Sequence, residues 1–519
     1  MSNPQAYASD DNRKAKPAQH VRSNTVSSCI SCVLAFVMLA LANNVLNTAV
    51  FPAVAAYAPY SREIAILFGA ACFLGFYFLV TRKPQWLSAK AFIVGSPTSI
   101  MLGAALLEFV MPSQNIMLTI VGLMLVRFGS VGALILLALA LVRLSTKRQM
   151  LLCAVWGIAA GEVIRVLIMV DSPFWGVVFE AACYIGIGLL LYRTAAPVMA
   201  DLSRIEAPVD AEVVNPESFL APGNAVYLCV LVFNIAMGFA MTLNTGAFNV
   251  VTLGITALVI CGVAVWLSWG ASPDREDELF SFCVLIAVAG FLVAPFTFFS
   301  GASTANTLLG IGARVFELLI WLAVLSVGRR NILALLPTFV LLRAVSSVGT
   351  TIGAVAGHGS TALMGEGTAI AAFITNVVLF VFIVILWLGF RNFSFTQVIQ
   401  GIAPTLTPED MQLLPQQTSS HDESADQNGG YENESPADSE SAQQVDRIAE
   451  RCQELGKRHH LTPREIEIFE LLARGRNGSF IMEHFVVSRN TAKSHIKHIY
   501  TKLGVHSQQE LIDLVEKEA

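Results

Sequence analysis

The sequence predicts an all-α protein in two unequal parts, a polytopic bundle of membrane helices followed by a small unit of short amphipathic helices. Three observations lead there. The mean hydropathy is +0.62, and 55% of the 519 residues are hydrophobic while only 14% are charged, about half the usual charged share. Apolar runs long enough to cross a bilayer recur as far as residue 390. Residues 447–519 change character, with helix-start signals and apolar residues spaced at three and four.

Residues 1–25 are polar, carry Arg13, Lys14, Lys16 and Arg22, and read as a cytoplasmic N-terminal tail. The apolar run that follows is too long for a signal-peptide core and predicts an uncleaved first span. Twelve spans are expected within residues 26–390. The first half (26–192) holds Val26–Leu46, Glu63–Val80, Ala91–Met111, Ile116–Val142, Met150–Val170 and Phe174–Tyr192. A polar, acidic stretch from Arg193 to Gly223 separates it from the second half (225–390). That half holds Ala225–Leu243, Phe248–Leu267, Leu279–Phe299, Leu308–Val327, Ile332–Val355 and Ile370–Phe390.

The loops set the expected orientation. With the N-terminus inside, the cytoplasmic segments carry sixteen Lys and Arg and the external loops carry Arg62 alone. An asymmetry of that size predicts both termini in the cytoplasm of a cell (inner) membrane protein. The nine cysteines are scattered, eight of them in or beside apolar runs, which argues against a disulfide framework. Cys29 and Cys32 have no second pair or nearby histidine to complete a metal site, and they read as small buried side chains.

Residues 392–446 contain no Lys or Arg, and ten Asp and Glu fall between Glu409 and Asp446. Such a composition predicts a disordered acidic linker with a typical end-to-end distance of roughly 40 Å. Beyond it, Val445, Ile448, Cys452 and Leu455 repeat at helical spacing and predict a short helix, either docked on the terminal domain or forming a dimer seam. Thr462, Pro463 and Glu465 then form a capping box that opens a helix ending at Gly475. A short helix near Ser479–Phe485 leads to Ser488, the cap of a third helix. In that third helix Ala492, Ile496, Ile499 and Leu503 make the core stripe, and Asn490, Lys493, Ser494, Lys497 and Thr501 lie opposite. Two lysines one turn apart among short polar residues suit a helix entering a major groove. Ser507 and Glu510 cap a last helix through Val515.

Residues 461–515 resemble the LuxR/FixJ-type helix-turn-helix domain at Thr462, Arg464, Glu465, Gly475, Ile481, Ser488, Thr491, Lys493, His495, Ile499, Lys502, Leu503 and Gly504. Met482, Ala492 and Phe480 depart from the usual residues. The resemblance implies that the helix after Ser488 is the recognition helix and that the last helix forms a dimer interface. Lys493, Ser494 and Lys497 would face the groove, with Ser488 and Thr491 near phosphate. Residues 447–519 hold twelve Lys and Arg against ten Asp and Glu, so tight binding calls for a homodimer on DNA.

Six plus six helices around a central loop resemble the major facilitator superfamily. The loop between the second and third helices, "TRKPQWLSAK", lacks the glycines and the Asp of that family's usual motif. Eight ionisable residues fall inside the expected spans: Glu108, Arg127, Glu162, Arg165, Glu180, Arg314, Glu317 and Arg343. They are expensive in lipid and should face the bundle interior. Glu162/Arg165 and Arg314/Glu317 can pair within one helix at i, i+3. The group reads either as a structural charge network or as a ligand site with Arg127 and Arg314 near the midplane.

No catalytic constellation, metal site or cofactor-binding loop emerges. The whole resembles the membrane-anchored LuxR-type regulators, which implies a one-component regulator that senses a small molecule or membrane state and binds promoter DNA. RNA polymerase is a further partner open to such a protein. The alternative is a facilitator-type transporter with a regulatory tail.

Overall fold

The computed structural model describes residues 11–144, 146–168, 170, 172–204, 219–243, 250–269, 275–300, 303–363, 368–402, 437–476 and 478–517. All regular structure among them is helical. The expected linker between 403 and 436, the start of the N-terminal tail and residues 205–218 of the central acidic stretch lie outside the described residues.

The first part opens with α1 (Asp11–Val45), which runs through a π turn into α2 (Phe51–Ala55). Then come α3 (Ser61–Arg82), α4 (Ala89–Val110), α5 (Ile116–Val142), α6 (Lys147–Leu167) and α7 (Pro173–Arg204). The second half holds α8 (Ala225–Leu243), α9 (Val250–Ser268), α10 (Arg275–Ser300), α11 (Ser303–Arg330), α12 (Ile332–Leu363) and α13 (Thr368–Phe390). Eleven helices among the described residues are long and apolar enough to cross a membrane, and Ala225–Ala240 in α8 is a shorter apolar one. Each of the twelve expected spans coincides with one of them. The chain is a multi-pass membrane protein.

Side chains close the helix starts where the sequence turns. Ser88 accepts a hydrogen bond from Ala91 N (3.4 Å), Asn115 from Leu118 N (3.2 Å) and Thr146 from Gln149 N (3.2 Å). Close helix contacts use small residues, since without a hydrophobic driving force packing and hydrogen bonds must hold helices together. A Cβ on Gly103 would meet Gly122 O at 2.7 Å, and Ser96 and Ser99 of α4 donate to Gly129 O (2.5 Å) and Leu125 O (2.7 Å) of α5. In the second half Gly353 of α12 abuts Ile235 O and Phe239 N of α8, and Ser346 Oγ donates to Asn234 Oδ1 at 2.9 Å.

Two expected boundaries are corrected. Helix α7 runs on to Arg204, twelve residues beyond Tyr192, because Ala195, Val198, Met199 and Leu202 continue a buried stripe into the segment read as a polar connection. The linker read as 392–446 is structured at both ends. Near its start, α14 (Phe395–Gln400) is fixed by Asp277 of α10, whose carboxylate accepts from Ser394 Oγ (2.5 Å) and Phe395 N (2.6 Å). Phe280, Phe390, Phe393 and Phe395 form an aromatic cluster around that point, with centroids 5.0–6.3 Å apart. At its end, α15 (Ala437–Arg458) begins ten residues before 447, in a run of Ala, Ser, Glu and Gln that tolerates helix.

The C-terminal unit continues with α16 (Pro463–Ala473), α17 (Gly478–Phe485), α18 (Arg489–Leu503) and α19 (Gln508–Lys517). Its own core comprises Cys452, Leu455, Ile468, Phe469, Leu472, Ile481, Ala492, Ile496, Ile499, Tyr500, Leu503, Leu511 and Val515, with Ile448 packed against it. Of the two expectations for the preceding helix, docking is the one observed within the unit.

Candidate DNA interface and membrane charge network

The helix-turn-helix is assembled by capping at each joint. Thr462 Oγ1 accepts from Glu465 N (3.3 Å) while Glu465 Oε2 accepts from Thr462 N (2.8 Å), closing the expected box. The same carboxylate receives Lys502 Nζ at 2.7 Å, and Lys502 also donates to His460 O (3.1 Å). Lys502 therefore clamps the end of α18 to the start of α16. Burial alone raises the Glu465 carboxyl, but the Lys502 and Thr462 hydrogen bonds outweigh it and hold it below the usual carboxylate range. Burial pushes the Cys452 thiol up to about 12, as expected of an apolar core filler.

Arg464 joins the first two helices of the motif. Its guanidinium lies 3.9 Å from the Phe485 ring centroid, donates to Phe485 O (3.4 Å) and pairs with Glu467 (2.8 Å). Ser488 caps α18, accepting from Thr491 N at 3.2 Å with the two hydroxyls 2.8 Å apart. Gly504 ends α18 at φ 72°, a left-handed cap that favours glycine. Ser507 Oγ accepts from Glu510 N (3.2 Å), and Glu510 Oε2 accepts from His506 N (2.8 Å), one residue upstream of the expected partner.

Helix α18 separates its two faces as its spacing requires. Ala492, Ile496, Ile499 and Leu503 are buried, whereas Ser488, Thr491, Ser494 and Lys497 are exposed and Lys493 is half-buried. The structure thus gathers these candidate DNA-contacting residues at one end and one face of α18. The Asn490 side chain lies outside the described set.

Seven of the eight expected intramembrane charges gather around Glu162, Glu317 and Glu180. Glu162 lies between Arg165 of its own helix (2.6 Å) and Arg314 of α11 (3.3 Å), so one carboxylate bridges the two halves. Glu317 pairs with Arg343 of α12 at 2.7 and 3.0 Å and accepts from Trp321 Nε1 at 3.1 Å. Arg343 also lies over the Trp321 and Phe339 rings, at 5.0 and 5.5 Å. Arg127 is within electrostatic reach of Glu180 and Tyr184 of α7. Trp321 meets Phe36 of α1 edge-on at 5.1 Å, and Trp156 Nε1 donates to Ser268 Oγ at 3.1 Å, two further contacts between the halves.

The expected Glu162/Arg165 pair is present. The expected Arg314 and Glu317 stay within electrostatic reach of each other, while the ion pairs they form are with neighbouring helices, Arg314 with Glu162 and Glu317 with Arg343. Arg127 and Arg314 belong to different groups and share no partner among the described contacts. Glu108 joins none of the three groups, and its Oε1 is buried without a hydrogen-bond partner. Two side chains that tie distant elements together are absent from the sequence-based expectations. Glu63 stands on the edge of an apolar run and pairs with His358 of α12, and Asp277 lies just before the expected span Leu279–Phe299 and holds the start of α14. An acidic residue directly at a span edge was the available signal for both.

Residues 459–515 match the family model described as "Bacterial regulatory proteins, luxR family". The oxygen regulatory protein NreC of Staphylococcus aureus (strain JH9) is 42% identical over 57 residues, covering 11% of this chain and 26% of that protein. The same protein from strain USA300 matches equally. The chain therefore spans about a quarter of the length of these curated relatives. Among solved structures, the human organic anion transporter MFSD10 aligns over 70% of this chain and 99% of its own at 13% identity and a TM-score of 0.45. A bacterial homologue of the iron transporter ferroportin aligns over 72% and 98% at 12% identity and a TM-score of 0.47. Both scores lie under 0.5, below the level at which activity can be carried across. What the comparisons and the geometry place together is a LuxR-type DNA-binding helix-turn-helix at the end of a multi-pass membrane chain.

Proposed function

We propose that the chain is a membrane-embedded, one-component transcription regulator. Residues 26–390 sense a small molecule or membrane state, residues from about 402 to 436 tether the reader, and the terminal domain binds promoter DNA as a homodimer from the cytoplasmic side. One observation carries the reading: a capped LuxR-type domain with the exposed face of α18 uncovered within its own unit stands in the same chain as eleven helices, among the described residues, long and apolar enough to cross a membrane. Ser488, Asn490, Thr491, Lys493, Ser494 and Lys497 are the proposed DNA contacts.

The input is proposed to act on the contact between the halves. A ligand shifts a two-state protein only through different affinity for the two states. Arg165 and Arg314 share Glu162, which leaves one positive charge in excess, and the Nε atoms of Arg127 and Arg165 are buried without hydrogen-bond partners. An anion at Arg314 would compete with Glu162 and loosen the bridge.

Transcript profiling of a deletion strain, complemented by the wild type or by Arg314→Gln, tests this. Regulation should require the chain, and Arg314→Gln should abolish the ligand response without lowering the protein level. A deletion that alters no transcript under any inducing condition overturns the regulator reading. Uptake by vesicles carrying the purified chain would favour the transporter alternative.

A further inference from the structure

We propose a second ligand site, for an amphipathic protonated amine, in the cleft where α3 meets α12. The cleft has a volume of about 450 Å³ and is lined by Tyr60, Glu63, Ile64, Leu67, Val355 and His358, within the size range of small-molecule sites. Its one carboxylate is half used. His358 Nε2 lies 3.3 Å from Glu63 Oε1, while Glu63 Oε2 is buried and has no hydrogen-bond partner, on a residue only 5% exposed. A buried, unpartnered carboxylate oxygen is costly, and a charge-assisted donor from a ligand removes that cost.

The rest of the lining selects the ligand's shape and sign. Ile64, Leu67 and Val355 form an apolar wall that is open on one side, with relative exposures from 37% to 55%. An ammonium at Glu63 would leave an alkyl chain along this wall, on the side available to lipid. The Tyr60 ring stands edge-on to His358 at 6.0 Å and flanks the head group. Arg62, the neighbouring cation, lies over the Phe51 ring at 5.7 Å and stays within electrostatic reach of Glu63. Glu63 is the one carboxylate lining the cleft, and its unpartnered Oε2 can accept a hydrogen bond that an ammonium donates and a ligand carboxylate cannot.

Glu63 and His358 come from opposite halves of the bundle, so an ammonium that competes with His358 for Glu63 changes a contact between the halves. The site stands on the cleft alone; its use as an input rests on the regulator reading above.

The test uses the full chain in lipid nanodiscs, with hexylamine as the probe and hexanoate and hexanol as matched controls, read by titration calorimetry. Hexylamine should bind saturably at one site per chain and at least tenfold more tightly than either control. Glu63→Gln should weaken it at least tenfold. Val355→Trp, which fills the cleft and leaves the carboxylate, should do the same and decides the matter if Glu63→Gln does not fold. Equal affinity for hexanoate, or unchanged hexylamine binding by either folded variant, overturns the proposal. Binding is measured without DNA, so a reporter gene that ignores hexylamine while the purified chain binds it counts against the regulator reading and leaves the site standing.

Discussion

Two arginine–glutamate pairs in this molecule share one spacing and nearly one distance, and they should differ several-fold in energy. Glu162 and Arg165 are three residues apart in α6, 2.6 Å from each other, with side chains 3% and 7% exposed. Arg464 and Glu467 are three residues apart in α16, 2.8 Å from each other, with side chains 43% and 56% exposed. The first pair has left water and must satisfy its charge within the protein. The second remains solvated and screened. The comparison teaches that spacing finds a pair whereas environment sets its weight. The Coulomb attraction of one geometry is several times larger at low dielectric, and so is the penalty for removing one partner.

The sharpest way to break the comparison is to remove Glu162. Glu162→Gln leaves Arg165 and Arg314 facing each other without their shared carboxylate. It should cost about 3–5 kcal/mol of stability, read as unfolding free energy of the full chain in mixed micelles. The double variant Glu162→Gln/Arg314→Gln should recover part of the loss, because it removes one of the orphaned charges. A loss under about 1 kcal/mol for the single variant would mean that water reaches the pair and that the bundle is no drier there than the surface of α16.

That asymmetry also explains what the sequence could disclose. The C-terminal domain was legible nearly residue by residue because its signals are local: Thr462 and Glu465 are three apart, Ser488 precedes its helix directly, and the stripe of Ala492, Ile496, Ile499 and Leu503 lies within one helix. The spans were legible from composition alone. The partner of Arg314 was not, since Glu162 lies in the other half of the chain and no periodicity links them. The continuation of α7 past Tyr192 was hidden by Arg193 and Thr194, whose polarity outweighed the apolar residues after them. Glu63 was hidden by its place at a span boundary, where a charge is ordinarily solvated.

Glu465 stands between the two extremes, buried like Glu162 but in the soluble domain, and pH resolves its contribution. A carboxylate held below its usual range stabilises the fold above its unfolded pKa, near about 4.3. That contribution is lost as pH falls through the lower, folded value. Residues 437–519, which contain their own core, should therefore lose stability below about pH 4.3. Glu465→Gln should lower stability at pH 7 by about 1.5–3 kcal/mol, the scale of hydrogen bonds to a charged group, and flatten the slope in that acid window. Urea unfolding between pH 7 and 3 checks both; parallel slopes for the two proteins would remove Glu465 from the account.

On the groove face the same logic separates folding from binding. Lys497 is exposed, so Lys497→Ala should leave urea unfolding unchanged. It should weaken promoter binding by about 1–3 kcal/mol if the lysine reaches a base edge, and more uniformly across sequences if it reaches phosphate. Equal DNA binding by the folded Lys493→Ala/Lys497→Ala variant would move the interface off this face of α18.

The smallest expected effect belongs to the exposed pair itself. Glu467→Ala removes the carboxylate of the exposed pair and leaves Arg464 free to hydrate, so it should cost no more than about 0.5 kcal/mol. Arg464→Ala removes the same ion pair together with two other contacts, the guanidinium over the Phe485 ring and the bond to Phe485 O. Those contacts hold α16 against the end of α17, where the chain turns toward α18. A cation–π contact at a partly exposed site is worth about 0.5–1 kcal/mol, so Arg464→Ala should cost more than Glu467→Ala by about that amount. The difference belongs to the ring and the carbonyl rather than to the charge pair. Urea unfolding in 0.05 and 1 M salt separates the two, because screening weakens the Glu467 contribution and leaves the stacking contribution nearly intact. Equal losses for the two variants at high salt would show that the arginine acts through its charge alone, and the contrast with Glu162 would then be one of degree.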